Sequence, residues 1–363
     1  MNEHERMYHL LKDLTEACGV SGFEDEVRQV IVEKLKEYSD EVRIDPFGNV
    51  IAVIKGENKD FKVMLAAHMD EIGLMVTHIE KNGFIRFTTV GGVNALTLIG
   101  QRVVIQTRKG KIKGVIGMKP PHLMTPEEAK KVPEIKNLFI DVGASNRSEV
   151  EKLGIRVGDV VVIDRDIARL GNGKIVTGRA FDDRAGVAVM IDAMMRVYGK
   201  EPSCTVYAVA TVQEEVGCRG ARVVAFRINP TMAIAIDVTA ANDVAGVSEH
   251  EYVTRLGAGP AIKIMDNVRG GFLGLIAHPK VRELLIRVAE EEKIPYQLEV
   301  LVGGSTDAST IHLVREGVPS GVISIPTRYV HSSTEVISLD DAVNAAKLIA
   351  ATINKVKPED LKF

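Results

Sequence analysis

Side chains that bind transition metals recur along the chain at the points where apolar runs end. They are His68, Asp182, Glu215, Asp237 and His331. Imidazole nitrogen and carboxylate oxygen are the ligands that zinc and cobalt prefer in sites with four or five ligands. Two histidines and three carboxylates are enough for two such ions. This set of residues therefore predicts a hydrolase that binds two divalent metal ions, zinc or cobalt, in each chain.

The apolar runs before these residues predict the elements that position them. The segments VMLAAHMD, TVYAVATVQEE, TMAIAIDVT and SGVISIPTRYVH are rich in Val, Ile and Ala and are too short for helices. Such runs are typical of strands that are buried on both faces of a parallel sheet. Ligands in open α/β sheets bind beyond the carboxyl ends of the strands. We therefore expect four strands to bring distant residues together at one edge of a sheet.

Asp182 is the candidate for a carboxylate that both ions share. It lies in FDDRAG, directly before a predicted helix, in a turn that can aim a short side chain. A shared carboxylate would hold the ions about 3.5 to 4 Å apart, so that a water bound between them loses its proton near neutral pH and attacks a polarised carbonyl. The alternative is that Asp182 and Asp183 are helix N-cap residues, and one can cap while the other binds metal.

The adjacent residues Glu214 and Glu215 can take different roles, because successive side chains that leave a strand diverge. We expect Glu215 to bind metal and Glu214 to act as the general base that takes a proton from the attacking water. Two solvated glutamates at a turn are the alternative. Asp70, two residues after His68, is the second candidate catalytic residue. It is expected to accept the other N–H of the imidazole and so to hold its tautomer.

Other residues of types that bind metal are given ordinary structural roles. The three cysteines, Cys18, Cys204 and Cys218, make no even disulfide framework and are expected to be small buried residues. Cys218 has an alternative role as a zinc ligand, because it follows Glu215 by three positions. The remaining histidines are expected to be structural or on the surface, and His122 in MKPPHLMTP is the first exception to consider.

The composition is that of an ordinary globular protein. Of 363 residues, 45% are hydrophobic and 26% are charged, and the formal net charge is -3. This balance lacks the basic excess of nucleic-acid-binding proteins, and no apolar stretch is long enough for a membrane span. The amino-terminal segment MNEHERMYHLLKDL is too charged for a signal peptide. We expect a cytoplasmic protein that binds neither nucleic acid nor membrane.

The order of the predicted elements indicates one domain inserted into another. Helical periodicity and buried strands alternate before residue 71 and again after residue 168, with helices expected at about 22–38, 184–198, 281–288 and 342–353. Between them, short alternating strands are separated by Gly, Asn and Asp turns. We predict an α/β fold with a mixed, mainly parallel sheet flanked by helices, similar to the zinc exopeptidases, over 1–71 and 168–363. A small β-barrel or sandwich is inserted over 72–167.

Five segments resemble the M42 family of metallo-aminopeptidases. They are HMDEIG, GRAFDDRAG, TVQEEVG, IDVT and YVHSSTE, and their order and spacing match across essentially the whole chain. GGSTDA, AIKIMD and EVGCRGAR are also similar to segments of the tetrahedral aminopeptidases in that family. The resemblance implies that His68 and Asp237 bind one ion, that Glu215 and His331 bind the other, and that Asp182 is shared. It also implies Glu214 as the general base.

The resemblance has further implications for conformation and assembly. It implies a cis peptide bond between Asp182 and Asp183, and an inserted β domain that mediates dimerisation. Dimers would then assemble into a hollow tetrahedral dodecamer. The stretch 267–279 looks long for the family, and its Phe272 and Leu273 are expected to narrow the pocket for the first substrate residue.

These observations predict an aminopeptidase that removes amino-terminal residues from peptide substrates. The alternative is a metal-dependent deacylase of N-acyl amino acids, and the two differ in whether the substrate needs a free α-amino group. A crowded anionic site favours the aminopeptidase, because a substrate ammonium can pair with it and an acylated amine cannot. An assembly protein with structural metals would need closed coordination, whereas two ions that share five protein ligands leave positions open.

Overall fold

The structure is a computed structural model that describes residues 1–267 and 273–362. Phe272, which was expected to narrow the substrate pocket, lies outside these residues. Within the described ranges, every helix is too short or too polar to traverse a bilayer.

The described residues form nine α-helices and eighteen strands. The helices are α1 (Glu3–Glu16), α2 (Asp25–Lys36), α3 (Pro126–Ala129), α4 (Arg147–Lys152), α5 (Phe181–Val197), α6 (Arg219–Ile228), α7 (Pro279–Glu291), α8 (Ala308–Ile311) and α9 (Leu339–Lys355). The first nine strands are β1 (Glu41–Ile44), β2 (Val50–Ile54), β3 (Asn58–His68), β4 (Gly73–Ile79), β5 (Ile85–Val90), β6 (Arg102–Thr107), β7 (Gly110–Gly117), β8 (Phe139–Asp141) and β9 (Val160–Ile163). The others are β10 (Ala168–Leu170), β11 (Ile175–Gly178), β12 (Cys204–Thr211), β13 (Met232–Ala240), β14 (Ala261–Asn267), β15 (Gly274–Ile276), β16 (Gln297–Val302), β17 (Ser320–Arg328) and β18 (Glu335–Ser338).

Twelve strands form one mixed sheet with a parallel centre. Its main order is β1-β2-β12-β3-β13-β17-β18-β11-β10, and β14, which pairs with β17, also carries β15 and β16. The adjacent strands β12, β3, β13 and β17 run parallel, whereas their neighbours β2 and β18 on this path are antiparallel to them. The strands β12, β13 and β17 are buried over almost their whole length. That burial explains their continuous apolar sequences, because such strands have no solvated face.

Helices cover both faces of this sheet. On one face, Leu11 of α1, Met190 of α5 and Ile349 of α9 belong to the same large buried cluster. On the other face, Val224 of α6 and Ile311 of α8 belong to a second cluster with the opposite side chains of the central strands. Helix α5 is buried on almost all sides, as is typical of a helix inside a core.

Six antiparallel strands form a closed barrel beside the sheet, in the order β4-β5-β8-β7-β6-β9. The pairing of β9 with β4 closes it. The barrel has its own apolar core, which includes Val76, Ile105 and Ile140. All six strands lie between Gly73 and Ile163, inside the segment 72–167. That this segment is a separate domain with those boundaries remains a prediction.

The predicted fold class is confirmed, with differences at particular elements. The spacing of Val27, Ile31 and Leu35 correctly predicted the buried side of α2. Helix α5 spans Phe181–Val197, but Asp182 and Asp183 have non-helical backbone angles, so its regular part begins at about Arg184, where the helix was predicted. Helices α1 and α6 were not predicted, although their buried residues recur at helical spacing.

Candidate metal centre

The parallel centre of the sheet brings the predicted metal ligands together. Strand β3 ends at His68, which pairs with Thr211 at the end of β12, just before the two glutamates. Asp237 pairs with Ser324 of β17, the strand that leads to His331. Asp237 was expected at the end of its strand, but β13 continues to Ala240. The four adjacent strands therefore deliver their polar side chains to one edge, as the sequence predicted.

Asp182 lies between two groups of side chains. Its Oδ1 is 3.1 Å from Nε2 of His68, and Asp237 Oδ1 is 3.9 Å from that same nitrogen. Its Oδ2 is 3.0 Å from Nε2 of His331, and Glu215 Oε1 is 3.4 Å from that nitrogen. Each oxygen of Asp182 thus faces one histidine and one further carboxylate, which is the arrangement expected of a carboxylate shared by two ions.

Asp70 positions the backbone of both glutamates. Its Oδ1 accepts a hydrogen bond from Glu214 N at 2.9 Å, and its Oδ2 accepts one from Glu215 N at 3.2 Å. The Ser21 hydroxyl also donates to Oδ2, at 2.6 Å. Nδ1 of His68 bonds the backbone carbonyl of Asp70 at 3.1 Å, whereas the carboxylate is 3.6 Å away. Asp70 was expected to orient the imidazole of His68 through its carboxylate. It does so mainly through its backbone carbonyl, whereas its carboxylate orients the two glutamates.

Asp183 has a similar role on the other side of the site. Its carboxylate accepts hydrogen bonds from His68 N at 3.2 Å and from Gly186 N at 3.0 Å. Asp183 therefore caps α5, while Asp182 points to the histidines. The sequence analysis had left open that one aspartate caps the helix while the other binds metal. The peptide bond between Asp182 and Asp183 is cis, in agreement with the family resemblance.

Glu335 is a residue of the site that the sequence analysis missed. Its Oε2 accepts a hydrogen bond from Asp182 N at 3.0 Å, and its Oε1 accepts one from His331 N at 2.9 Å. Burial, followed by the charge of Asp182, raises the pKa of Glu335 to about 8. The sequence did contain a signal, because Glu335 closes the segment YVHSSTE four residues after the histidine. One carboxylate thus fixes the backbone of two predicted ligands that are distant in sequence.

Glu214 is surrounded by groups that favour its protonated form. Burial raises its pKa well above the ordinary value, and the charges of Asp237 and Glu215 raise it further, although His68 opposes them. The Cys218 thiol donates to Oε1 of Glu214 at 3.1 Å. Burial also raises the pKa of that thiol, so Cys218 lies here as a neutral donor, a form that does not bind zinc as a thiolate does.

The two histidines differ from Glu214 because carboxylates favour their charged form. Burial lowers the pKa of His331, but Asp182 and Glu215 more than offset this effect and raise it to about 12. Burial likewise opposes the charged form of His68, yet Asp182 and Asp70 raise its pKa well above the ordinary value. The carboxylates around both imidazoles thus favour their protonated forms when no metal is bound.

The donor atoms fit divalent metal ions. Two groups of three side chains each offer donor atoms that lie within 4.8 Å of one another. They are His68, Asp182 and Glu215, and His68, Asp183 and Asp237. Both oxygens of Asp183 accept hydrogen bonds from backbone amides, so we do not assign Asp183 as a metal ligand. Oε1 of Glu215 is buried and receives no hydrogen bond from the described residues. Buried carboxylates are stable when they are paired or bind a metal, and this site has more of them than cations.

The other candidate histidine does not join this site. His122 lies in an exposed 3-10 turn, Pro121–Leu123, on the barrel segment. His122, which was considered as the first exception among the remaining histidines, thus has the surface position expected of the others.

Comparison with known proteins identifies related enzymes. The family model "M42 glutamyl aminopeptidase" matches residues 48–348. The lysyl aminopeptidase of Pyrococcus furiosus is 40% identical over 360 residues, which cover 97% of this chain and 98% of that protein. The aminopeptidase APDkam598 from the archaeon Desulfurococcus kamchatkensis has a similar structure, with a TM-score of 0.95 and 51% identity over 99% of this chain and 98% of that one.

A third relative has a described assembly. The TET1 peptidase of Pyrococcus horikoshii, which can assemble into a tetrahedron or a large octahedral shell, has a TM-score of 0.85 and 34% identity. The match covers 96% of this chain and 100% of that one.

We expect metal binding to release protons from the two histidines and to strengthen as the pH rises. Only neutral imidazole binds a metal ion, whereas the raised pKa values keep both rings protonated near neutral pH in the metal-free protein. Calorimetric titration with Zn²⁺ or Co²⁺ in buffers of different ionisation enthalpy measures this release. A His331→Ala variant should release fewer protons. Equal binding enthalpies in all buffers would contradict the expectation.

Proposed function

The chain belongs to the M42 family of aminopeptidases. From this premise we propose which of its residues bind metal and which transfer protons. The reaction is the removal of amino-terminal residues from peptides. The enzyme is a metal-dependent aminopeptidase, as its family and its relatives indicate. The deacylase alternative is not favoured, since the compared relatives that match the whole chain are aminopeptidases. A cytoplasmic location remains a prediction.

The position of Asp182 between the two histidines carries the proposal. We assign His68, Asp237 and Asp182 to one divalent ion, and His331, Glu215 and Asp182 to a second, with zinc or cobalt as the metal. The distances from the two oxygens of Asp182, 3.1 and 3.0 Å to the imidazole nitrogens, support this division. Two bound ions would lower the pKa of a water molecule and polarise the substrate carbonyl.

Glu214 is the proposed general base. It follows the end of β12 by three residues, its Oε2 lies 3.9 Å from His68 Nε2, and its Oε1 accepts a hydrogen bond from the Cys218 thiol, so it lies beside the proposed metal positions without being needed as a ligand. Its raised pKa suits a group that takes a proton from water and returns it to the leaving amine. Asp70 holds this glutamate and Glu215 by their amides, and it acts as a positioning residue.

The negative charge of the site supports recognition of a free amino terminus. Glu214, Glu215 and Asp237 lie at one edge of the sheet, and all are largely buried. A substrate ammonium can pair with this charge, and the pairing is stronger in a site partly removed from water. An acylated amine would bring no compensating charge.

Self-association is the proposed state of the enzyme. The Pyrococcus horikoshii TET1 peptidase, which matches nearly the whole chain, can assemble into a tetrahedron or a large octahedral shell. We propose that this chain forms dimers through the segment 72–167 and that the dimers assemble into a tetrahedral dodecamer. A closed barrel with its own core is a suitable interface, because it can be contacted without disturbing the sheet.

Replacing the two glutamates should separate proton transfer from metal binding. Glu214→Gln is expected to keep the metal content and the KM but to lose about 10²- to 10⁴-fold in kcat, the usual contribution of a general base. Glu215→Gln is expected to lower the metal content instead. Elemental analysis and steady-state kinetics on both variants measure the difference. If the two phenotypes were exchanged, the assigned roles would be reversed.

A pair of peptides tests the requirement for a free amino terminus. The enzyme should release leucine from Leu-Gly-Gly and leave acetyl-Leu-Gly-Gly largely intact, with internal bonds spared, because only the first peptide supplies an ammonium group. Amino-acid analysis and acetate assays of the two digests give the rates. Comparable release of acetate from the blocked peptide would favour the deacylase.

Removing the barrel should reduce the size of the assembly. A variant in which a short linker replaces 72–167 is expected to form much smaller particles than the full chain, as measured by light scattering. Circular dichroism should verify that the remaining sheet domain is folded. An unchanged subunit number in a folded variant would show that the barrel does not mediate assembly.

A further inference from the structure

The barrel contacts the metal centre through a turn of two glycines. Gly91 and Gly92 directly follow β5, which ends at Val90. Assembly is the role proposed for the barrel segment. This turn, however, lies against His331 and Glu215, the two residues assigned to the second ion alone.

Gly92 approaches the imidazole of His331 so closely that a larger residue does not fit. A Cβ atom at this position would lie 2.7 Å from Nδ1 and 3.0 Å from Cε1 of the ring. Carbon atoms in ordinary contact are about 3.5 to 4.0 Å apart, so a side chain there would displace the ring. The backbone conformation of Gly92 is not left-handed, so the contact with His331 is what disfavours a side chain.

Gly91 brings the turn to the other ligand. Its φ of +77° lies in the left-handed region, which glycine adopts at little cost. A Cβ atom there would lie 3.3 Å from Oε2 of Glu215 and 2.7 Å from Cγ2 of Ile72. The two glycines together thus pack against both ligands.

The contact matters because His331 is less constrained than His68. A histidine that binds metal is usually oriented by a hydrogen bond from its second ring nitrogen. Nδ1 of His68 has such a bond, 3.1 Å to the carbonyl of Asp70. Nδ1 of His331 makes no hydrogen bond with any described residue, and its side chain is 37% exposed. The backbone of Gly92 is instead the group that lies against this nitrogen.

We propose that the turn Gly91–Gly92 is a positioning element of the second metal position, so that the barrel forms part of the metal centre as well as an interface. The turn holds the His331 ring with Nε2 toward Asp182 and Glu215. This inference rests on the ligand assignment in the proposed function. It explains why the turn has two adjacent glycines at this point.

Gly92→Ala tests the proposal through metal binding. The added methyl group should turn the ring and weaken the binding of one ion by about 10- to 100-fold, the usual effect of losing a contact that orients a ligand. The other ion should bind as in the wild type. Equilibrium dialysis of the full chain with Co²⁺ gives the two affinities, and the visible absorption of bound Co²⁺ reports a changed ligand set. Activity should recover at high metal concentration.

Gly117→Ala is the matched control. Gly117 also lies in the barrel without a left-handed backbone, and a Cβ atom there would lie 2.7 Å from Cε2 of Phe139. It therefore introduces a similar steric conflict away from the metal ligands. Both affinities for Co²⁺ should match those of the wild type. If Gly92→Ala behaved like this control, the proposal would be wrong.

A double variant separates positioning from general damage. In a His331→Ala background, Gly92→Ala should cause no further loss of Co²⁺ affinity, and if the single variant fails to fold, this background should restore folding. Additive losses, or failure of the double variant to fold where His331→Ala alone folds, would overturn the proposal.

Wild-type assays on Leu-Gly-Gly test the proposed function independently of these results. If the wild type were inactive on Leu-Gly-Gly but Gly92→Ala weakened Co²⁺ binding as expected, the proposed function would be wrong and the positioning role of the turn would stand.

Discussion

The crowding of buried carboxylates at the ends of four parallel strands is the constraint on which the rest of the structure depends. Asp182, Glu214, Glu215 and Asp237 lie together beside the imidazoles of His68 and His331, and Lys263 is a further positive charge near Asp237. Buried charges of one sign repel strongly where water is scarce, so such a group is stable only with cations present. The proposed metal binding, proton transfer and attraction of an ammonium all depend on this group of carboxylates.

A second set of carboxylates keeps the ligands in place against that repulsion. Asp70, Asp183 and Glu335 each accept hydrogen bonds from the backbone amides of predicted site residues. These hydrogen bonds hold the backbone and leave the ligand side chains free. The geometry of the ligands is therefore determined by the backbone, which a rigid sheet holds more precisely than flexible side chains could.

The barrel and the sheet meet at the least constrained part of this site. His331 follows a strand by three residues, has a left-handed backbone and stays partly exposed. Its position therefore depends on contacts from two sides, Glu335 at its backbone and the glycine turn at its ring. The proposed assembly element and the proposed second metal position are therefore in contact.

The sequence by itself determined the residue types, the strands and most of the helices that form the site. Continuous apolar runs that end in His68 and in Glu214 were enough to predict parallel strands, because burial on both faces leaves no alternation. Local patterns could also identify the aspartates before α5 as both cap and ligand candidates. Alternating strands and frequent turns indicated the barrel, although they could not distinguish it from a sandwich, since closure depends on which strands pair.

The sequence divided the distant residues between two positions only through its family resemblance, and the tertiary structure supplies the contacts that support this division. The two oxygens of Asp182 face different histidines because β3 and β17 lie on opposite sides of β13. Glu335 lies in the segment YVHSSTE, but its hydrogen bond with Asp182 joins residues distant in sequence, and the role of Gly92 comes from its contact with His331 across separate elements. Periodicity reports which side of an element is buried, whereas a site made of long-range contacts depends on how those elements pack against one another.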